Sequence, residues 1–325
     1  NLGRDINTIE QNNHINTNSD LKTNLIDGLG STYMSSIRNV NVYNENVSGA
    51  KENLNSDNYL TLALKNSYPL VKWTDKTEQS INPILFTKYT TGSMSSSSTN
   101  RLLDYGDIES MDRNNSATNP ETGASAGYGI EYNINKKNFE NKVFLDAAIS
   151  IGQVLRGKKL KEMPNNSLQE KKSDYVGSSL FKFYTEKFNN ADFNINYNYI
   201  INNNFNTSLQ HEISTSFEND NHNLLLTYYE ENEIGTARSV SSTYKRNFDN
   251  GLNVSIGATK NLAKDFTESN SIAANYVSDC LEISLSLAKT FYESSEVKPS
   301  NALTFSIVLK PFGSPVSPDL SSFVN

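Results

Sequence analysis

The chain has 325 residues, 36% of them hydrophobic, and a formal net charge of −7; its mean hydropathy is −0.56. No apolar run approaches the roughly 20 residues that a spanning helix needs, and the acidic balance gives no support to nucleic-acid binding. Asparagine is the most unusual component, with 47 residues against 16 Gly and 8 Pro; that polarity argues against a helical bundle, while 17 Tyr and 15 Phe argue against disorder.

AT-rich codon usage would by itself enrich Asn, so the placement of these residues says more than their number. The chain begins at Asn1 rather than Met and shows no signal peptide, which reads as a mature form or a fragment. Its single cysteine, Cys280, cannot close a disulfide within the chain.

In chain order, residues 1–57 read as one or two barrel strands plus an outer loop, with the strand signal centred on 20–40. From residue 58 the spacing predicts strands over 58–68, 78–89, 122–135, 140–154, 174–187, 191–202, 205–217, 222–231, 237–248, 251–262, 269–278, 280–292 and 301–311. The signal is period two. Ala124, Ala126, Tyr128, Ile130, Tyr132 and Ile134 alternate with Gly123, Ser125, Gly127, Gly129, Glu131 and Asn133. Phe193, Ile195, Tyr197 and Tyr199 alternate with Asn194, Asn196 and Asn198, and Leu281, Ile283, Leu285 and Leu287 with Glu282, Ser284 and Ser286. Such alternation gives a strand one apolar and one polar face.

A soluble sandwich alternates too, but turns a dense Leu, Ile, Val and Phe face inward. Here the polar face is built of small Asn, Ser, Thr and Gly, which suits a hydrated lumen, and the apolar face suits lipid. Runs of ten to fourteen residues exceed the roughly 5–6 of soluble strands and reach the roughly 9–11 of tilted membrane strands. Tyrosines near strand ends, such as Tyr132, Tyr184, Tyr228, Tyr229, Tyr276 and Tyr292, fit interfacial girdles as well as ordinary β propensity. Connections 41–57, 90–121 and 155–173 are the longest, and all three fall at one end; 69–77, 136–139, 188–190, 218–221, 249–250 and 279 fall at the other. Long outer loops and short periplasmic turns are the expected asymmetry of a membrane barrel.

Catalytic and metal chemistry find no motif. His14, His211 and His222 lack metal-ligand spacing, and no nucleotide or nucleophile signature occurs. Gly127 and Gly129 read as small lumen-facing residues. Lys158, Lys159, Lys161, Lys171 and Lys172 read as a solvated outer loop or as a contact for anionic headgroups. These readings exclude an enzyme and call for no cofactor.

Residues 274–313, ANYVSDCLEISLSLAKTFYESSEVKPSNALTFSIVLKPFG, are the most specific stretch. They resemble the end of the outer-membrane LPS-assembly protein family, through Tyr276, Cys280, Lys298–Pro299–Ser300 and Phe312–Gly313. Upstream, Asp112–Arg113 with the Tyr128–Gly129 strand, Ile151–Gly152–Gln153, and Ser173–Asp174–Tyr175–Val176–Gly177 resemble further strands of that family. The resemblance covers about residues 58–313, with 314–325 as a periplasmic tail.

It implies an all-β fold: an antiparallel transmembrane β-barrel of about 14 strands here, the C-terminal part of a larger 26-stranded barrel in the cell outer membrane. It implies a translocon component that inserts lipopolysaccharide into the outer leaflet through a hydrated lumen and lateral gate. The implied partners are lipopolysaccharide, a plug lipoprotein, periplasmic LPS-bridge proteins and the barrel-assembly machinery. Cys280 would pair with an upstream cysteine, since an oxidising compartment sustains such a bond. Asp279 stands where many members carry a second cysteine, so at most one bridge forms. Ser300, Ala302, Phe305 and Ile307 loosely match a final strand read by assembly machinery, and strand 301–311 would form one side of the gate. The lumen-facing candidates beside it are Glu282, Ser284, Ser286, Thr304 and Ser306. A porin or transporter barrel and a soluble adhesin-like β protein are the alternatives.

Overall fold

Side chains that alternate in polarity satisfy both preferences only on extended backbone, and extended backbone dominates the structure. A computed structural model describes residues 9–45, 53–94, 102–116, 118–137, 143–163, 167–185, 191–232, 236–291, 300–310 and 315–316. No α-helix occurs among the described residues, and none of their helices could cross a membrane.

The strands are β1 (Ile9–Ile26), β2 (Leu29–Glu45), β3 (Asn53–Ser67), β4 (Leu70–Thr74), β5 (Thr77–Thr90), β6 (Gly123–Lys137), β7 (Val143–Arg156), β8 (Tyr175–Thr185) and β9 (Ala191–Ile201). They continue as β10 (Ser208–Glu218), β11 (His222–Glu231), β12 (Ala237–Asn247), β13 (Leu252–Asn261), β14 (Phe266–Val277), β15 (Leu281–Thr290), β16 (Ser300–Leu309) and β17 (Pro315–Val316). All seventeen belong to one sheet. The ladders are antiparallel and follow chain order, the up-and-down connectivity of a barrel wall. The fold class is therefore the expected one: an all-β antiparallel barrel sheet.

Of the one or two strands expected before residue 58 the structure has two, β1 and β2, which turn at Asp27–Gly28, where Gly28 has a φ of +82°; two other local expectations need correction. In β1 the period-two signal is diluted: Ile9, Ile15 and Leu21 stand six residues apart among Asn, Ser and Thr. The expected connection 69–77 contains β4, and the turn is only Asp75–Lys76. Pro69 has no amide to give a ladder, so one long strand is cut in two, and β3 and β4 both pair with β5. The residues expected as a tail start with β17, which pairs with Ile307 and Val308 of β16; the rest of 317–325 lies outside the described residues.

The two faces of the sheet differ as the alternation requires. Across β12 to β16, Tyr244, Ile256, Ile272, Leu287 and Leu303 form one cross-strand row on the outer face. Ile256 is 51% exposed, Ile272 49% and Leu287 44%. Leu60, Leu62, Leu85, Tyr89, Ile130 and Ile149 continue this apolar exterior over β3 to β7. A belt of that extent in water would aggregate; against hydrocarbon it costs nothing.

On the opposite face Asn253, Asn275, Ser284 and Ser306 form one row, and Ser255, Ala273, Ser286 and Thr304 the next. Three of the asparagines singled out by parity, Asn194, Asn196 and Asn198, pair with Ser216, Ser214 and Glu212 on this inner face. The longest connections, 91–122, 157–174 and 291–299, and the shorter 46–52 all leave from the same end of the sheet.

Candidate functional site

The inner face is not polar throughout. At the long-loop end, Ile84 and Phe86 of β5, Val154 of β7, Val176 of β8 and Ile200 of β9 point inward and are buried. Described parts of the connections 91–122 and 157–174 fold back against this end of the sheet. Met94, Leu103 and Ile108 from the first loop and Leu160, Met163 and Leu168 from the second complete an apolar cluster with Val154, Val176 and Ile200. The small polar face predicts a hydrated lumen; at this end the loops fill part of it.

The first loop is held by a short 3₁₀ turn, Tyr105–Glu109. The Asp107 amide donates to Asp104 Oδ1 at 3.1 Å, and the Asp104 amide donates to Asp107 Oδ2 at 2.9 Å. This reciprocal cap fixes the turn, and the turn places Ile108 against the wall. The wall makes room with glycine: a Cβ on Gly127 would lie 2.0 Å from the Ile108 carbonyl oxygen, and one on Gly152 would lie 3.0 Å from the Ile108 side chain. Gly127 thus faces the interior as expected, and its smallness accommodates a loop rather than water.

Beyond the turn the loop is bound by charge. Glu121, 1% exposed, accepts from Lys88 Nζ at 2.7 Å, Arg113 Nη1 at 3.1 Å and Arg156 Nε at 2.9 Å. Lys88 comes from β5 and Arg156 from the end of β7, so the carboxylate ties the loop to two strands. Burial alone would raise the Glu121 carboxyl, but the three cations outweigh it and hold it well below the ordinary carboxylate range. Arg113 is fully engaged: Nε donates to the Asp107 carbonyl at 2.8 Å, Nη2 to that of Ile108 at 3.2 Å, and Nη1 also to Ser125 Oγ at 3.0 Å. Arg38 of β2 pairs with Asp112 at 3.1 Å, and Lys65 of β3 pairs with Glu109. Five strands of the wall, β2, β3, β5, β6 and β7, therefore grip one loop.

A polar cleft of about 480 Å³ remains between this loop and β8 to β10, lined in part by Asp104, Tyr105, Ser178, Asn198, Gln210 and Glu212. Burial, then Glu131 and Glu109, push the Tyr105 hydroxyl above its ordinary value, so it stays a donor.

The residues chosen from sequence lie elsewhere on the same face. Ser284 stands opposite Ser306, and Ser286 opposite Thr304; Ser284 Oγ donates to Asn275 Oδ1 at 2.8 Å. Glu282 lies at the short-turn end opposite Val308. Cys280 is exposed in the turn before β15, with no thiol partner, and its carbonyl accepts from the Lys310 amide at 3.1 Å. Lys298, Pro299, Phe312 and Gly313 lie outside the described residues. His211 Nδ1 meets the Tyr197 hydroxyl at 2.6 Å on the apolar side of the strands. The Lys88–Arg113–Glu121–Arg156 cluster escaped sequence reasoning. Lys88 and Arg156 sit at inward parity at strand ends, but only the folded loop brings Glu121 between them. Among the described residues no group of three or more His, Cys, Asp or Glu is arranged to hold a metal ion.

No protein-family model matches the chain, and no curated protein matches it. Solved structures do. A mutant of the Rh. blastica porin aligns over 93% of this chain and 93% of its own, with 10% identity and a TM-score of 0.36. The siderophore receptor PirA from Acinetobacter baumannii aligns over 93% of this chain and 56% of its own, with 9% identity and a TM-score of 0.48.

Proposed function

We propose that this chain is barrel wall from an outer-membrane translocon that inserts lipopolysaccharide into the outer leaflet. The sugar part would travel along the polar inner face, and the acyl chains would leave sideways through a seam. The observation that carries this reading is the seam. Among the described residues each strand is laddered to the next along the wall, β3 to β5 past the Pro69 break, while the far edge of β16 carries only β17, at Ile307 and Val308. In hydrocarbon an unpaired edge is expensive, so the β16 edge closes on a further strand, and a weakly closed edge can part. The polar rows ending at Ser306 and Thr304 run directly to that edge.

The sequence resemblance adds the partners: a plug lipoprotein inside the barrel, periplasmic bridge proteins that deliver lipopolysaccharide, and the assembly machinery that folds the last strand. Cys280, exposed at the short-turn end, is open to a bond with a cysteine of another segment. Depletion of the protein tests the reading. Surface lipopolysaccharide should fall before growth stops; normal surface lipopolysaccharide in depleted cells would overturn it.

A second reading, a diffusion porin, is favoured by the loop 102–122 lying on the inner wall, where it would narrow a pore. Steady ion conductance from the purified protein, with no effect of depletion on lipopolysaccharide, would select it.

A further inference from the structure

Arg156 is the least satisfied group in the interior. Its side chain is 1% exposed. Nε donates to Glu121 Oε1 at 2.9 Å, but Nη1 and Nη2, both buried, have no partner. Buried donors are nearly always paired, and a buried cation pays most for being left open.

Glu121 cannot answer the need. Oε2 already accepts from Lys88 and Arg113, and Oε1 accepts from Arg156 Nε and, at 3.4 Å, from Arg113 Nη1. Three cations thus share one carboxylate. Lys88 Nζ also donates to the Met111 carbonyl, and Arg113 to the carbonyls of Asp107 and Ile108 and to Ser125 Oγ. Only Arg156 keeps a free edge, two parallel N–H-bearing nitrogens in the fork geometry that matches two oxygens of one anion. The position suits entry from the loop end: Arg156 is the last residue of β7, and the lysine-bearing loop from Gly157 follows it.

We propose that the unpaired edge of Arg156 binds a phosphate-type oxyanion, with the Glu121 cluster as its cationic seat; both nitrogens are closed off in the loop-down arrangement, so the anion enters when the covering loop side chains move aside. The oxyanion gives the half-satisfied guanidinium its partner and locks loop 102–122 to β7. It is either inorganic phosphate or the phosphate of a lipid headgroup threaded under the loop; the chemistry at the guanidinium is the same. The seat does not depend on what the barrel transports.

Equilibrium dialysis of the folded full chain in detergent against labelled inorganic phosphate, at constant ionic strength set by sodium chloride, tests the proposal. A second arm replaces phosphate with mixed micelles carrying phosphatidic acid, read by co-elution of the lipid. Saturable binding of one phosphate per chain is expected, or of one phosphatidic acid if the headgroup is the source. Arg156→Gln should weaken it about tenfold or more, since a charge-assisted fork is lost. Lys159→Gln, at an exposed residue already paired with Glu170 at 2.6 Å, should leave it unchanged. If Arg156→Gln does not fold, as judged by its heat-modifiable migration, Arg156→Lys keeps the charge and removes the fork, and should still weaken binding. Absence of saturable binding to the original chain in both arms overturns the proposal, whatever the variants do; so does binding that a folded Arg156 variant retains in full.

Discussion

Glu121 is the side chain on which the interior depends. Its carboxylate is the shared partner of Lys88, Arg113 and Arg156, all essentially buried. Removing the single anion from such a group leaves cations uncompensated, which costs about 3–5 kcal/mol. Glu121→Gln should therefore lower the unfolding free energy by that amount, read as a lower urea midpoint at unchanged slope, and a midpoint within error of the original would refute the assignment. The pH dependence has a definite sign. The folded carboxyl lies below its ordinary value, so its stabilisation is complete above about pH 4.3, the unfolded value. It is lost as the pH falls through the depressed folded value. The difference between the original chain and Glu121→Gln should be constant from pH 7 to pH 5 and shrink only in stronger acid. Little of this was legible in the sequence. Parity marks Lys88 and Arg156 as inward, and Asp112–Arg113 was visible as a family-like pair, but Glu121 lies 33 residues from Lys88 and 35 from Arg156. No local period connects them.

At the scale of elements, the strand pattern was readable because period two survives wherever one face meets lipid. In β6, β9, β13, β15 and β16 the polar and apolar parities read from sequence are the inner and outer faces of the ladders. Legibility failed where a second physical demand entered. In β1, asparagine on both parities hides the alternation. At Pro69 a missing amide splits a strand without ending its direction. In β5, Ile84 and Phe86 are apolar at inward positions, because the loop and not water covers them. That loop needs Gly127: a Cβ there would be 2.0 Å from the Ile108 carbonyl oxygen, whereas one on Gly157 would meet nothing closer than 3.8 Å. Gly127→Ala should lift the 3₁₀ turn from the wall and make residues 102–122 susceptible to limited proteolysis, while Gly157→Ala leaves them protected. Equal protection in both variants would mean that the loop is not seated by the glycine wall.

For the whole molecule, low hydropathy and a membrane location are compatible because the exposed large apolar residues gather on one exterior belt, while a smaller apolar set is covered by loops at the long-loop end. The excess of asparagine follows the same division: Asn194, Asn196, Asn198, Asn253 and Asn275 all lie on the inner face. The seam is the feature that the sequence could only suggest by resemblance, since the pairing of the β16 edge is a property of the closed wall and not of any segment. If the seam opens for acyl chains, a covalent tie between β16 and the strand that faces it should reduce surface lipopolysaccharide without unfolding the barrel. Unchanged export in tied cells would remove the lateral exit from the mechanism.

The central claim is that the polar face near β16 carries the sugar of lipopolysaccharide while the opposite parity of the same strands faces membrane lipid. Photo-crosslinking in living cells tests it most directly, with a photoreactive residue placed at Ser286 or Thr304 on one face and at Leu285 or Phe305 on the other. Lipopolysaccharide adducts are predicted at Ser286 and Thr304 and should disappear when its delivery from the periplasm is blocked. Adducts absent from those two positions, in protein that is folded and in the outer membrane, would contradict the claim.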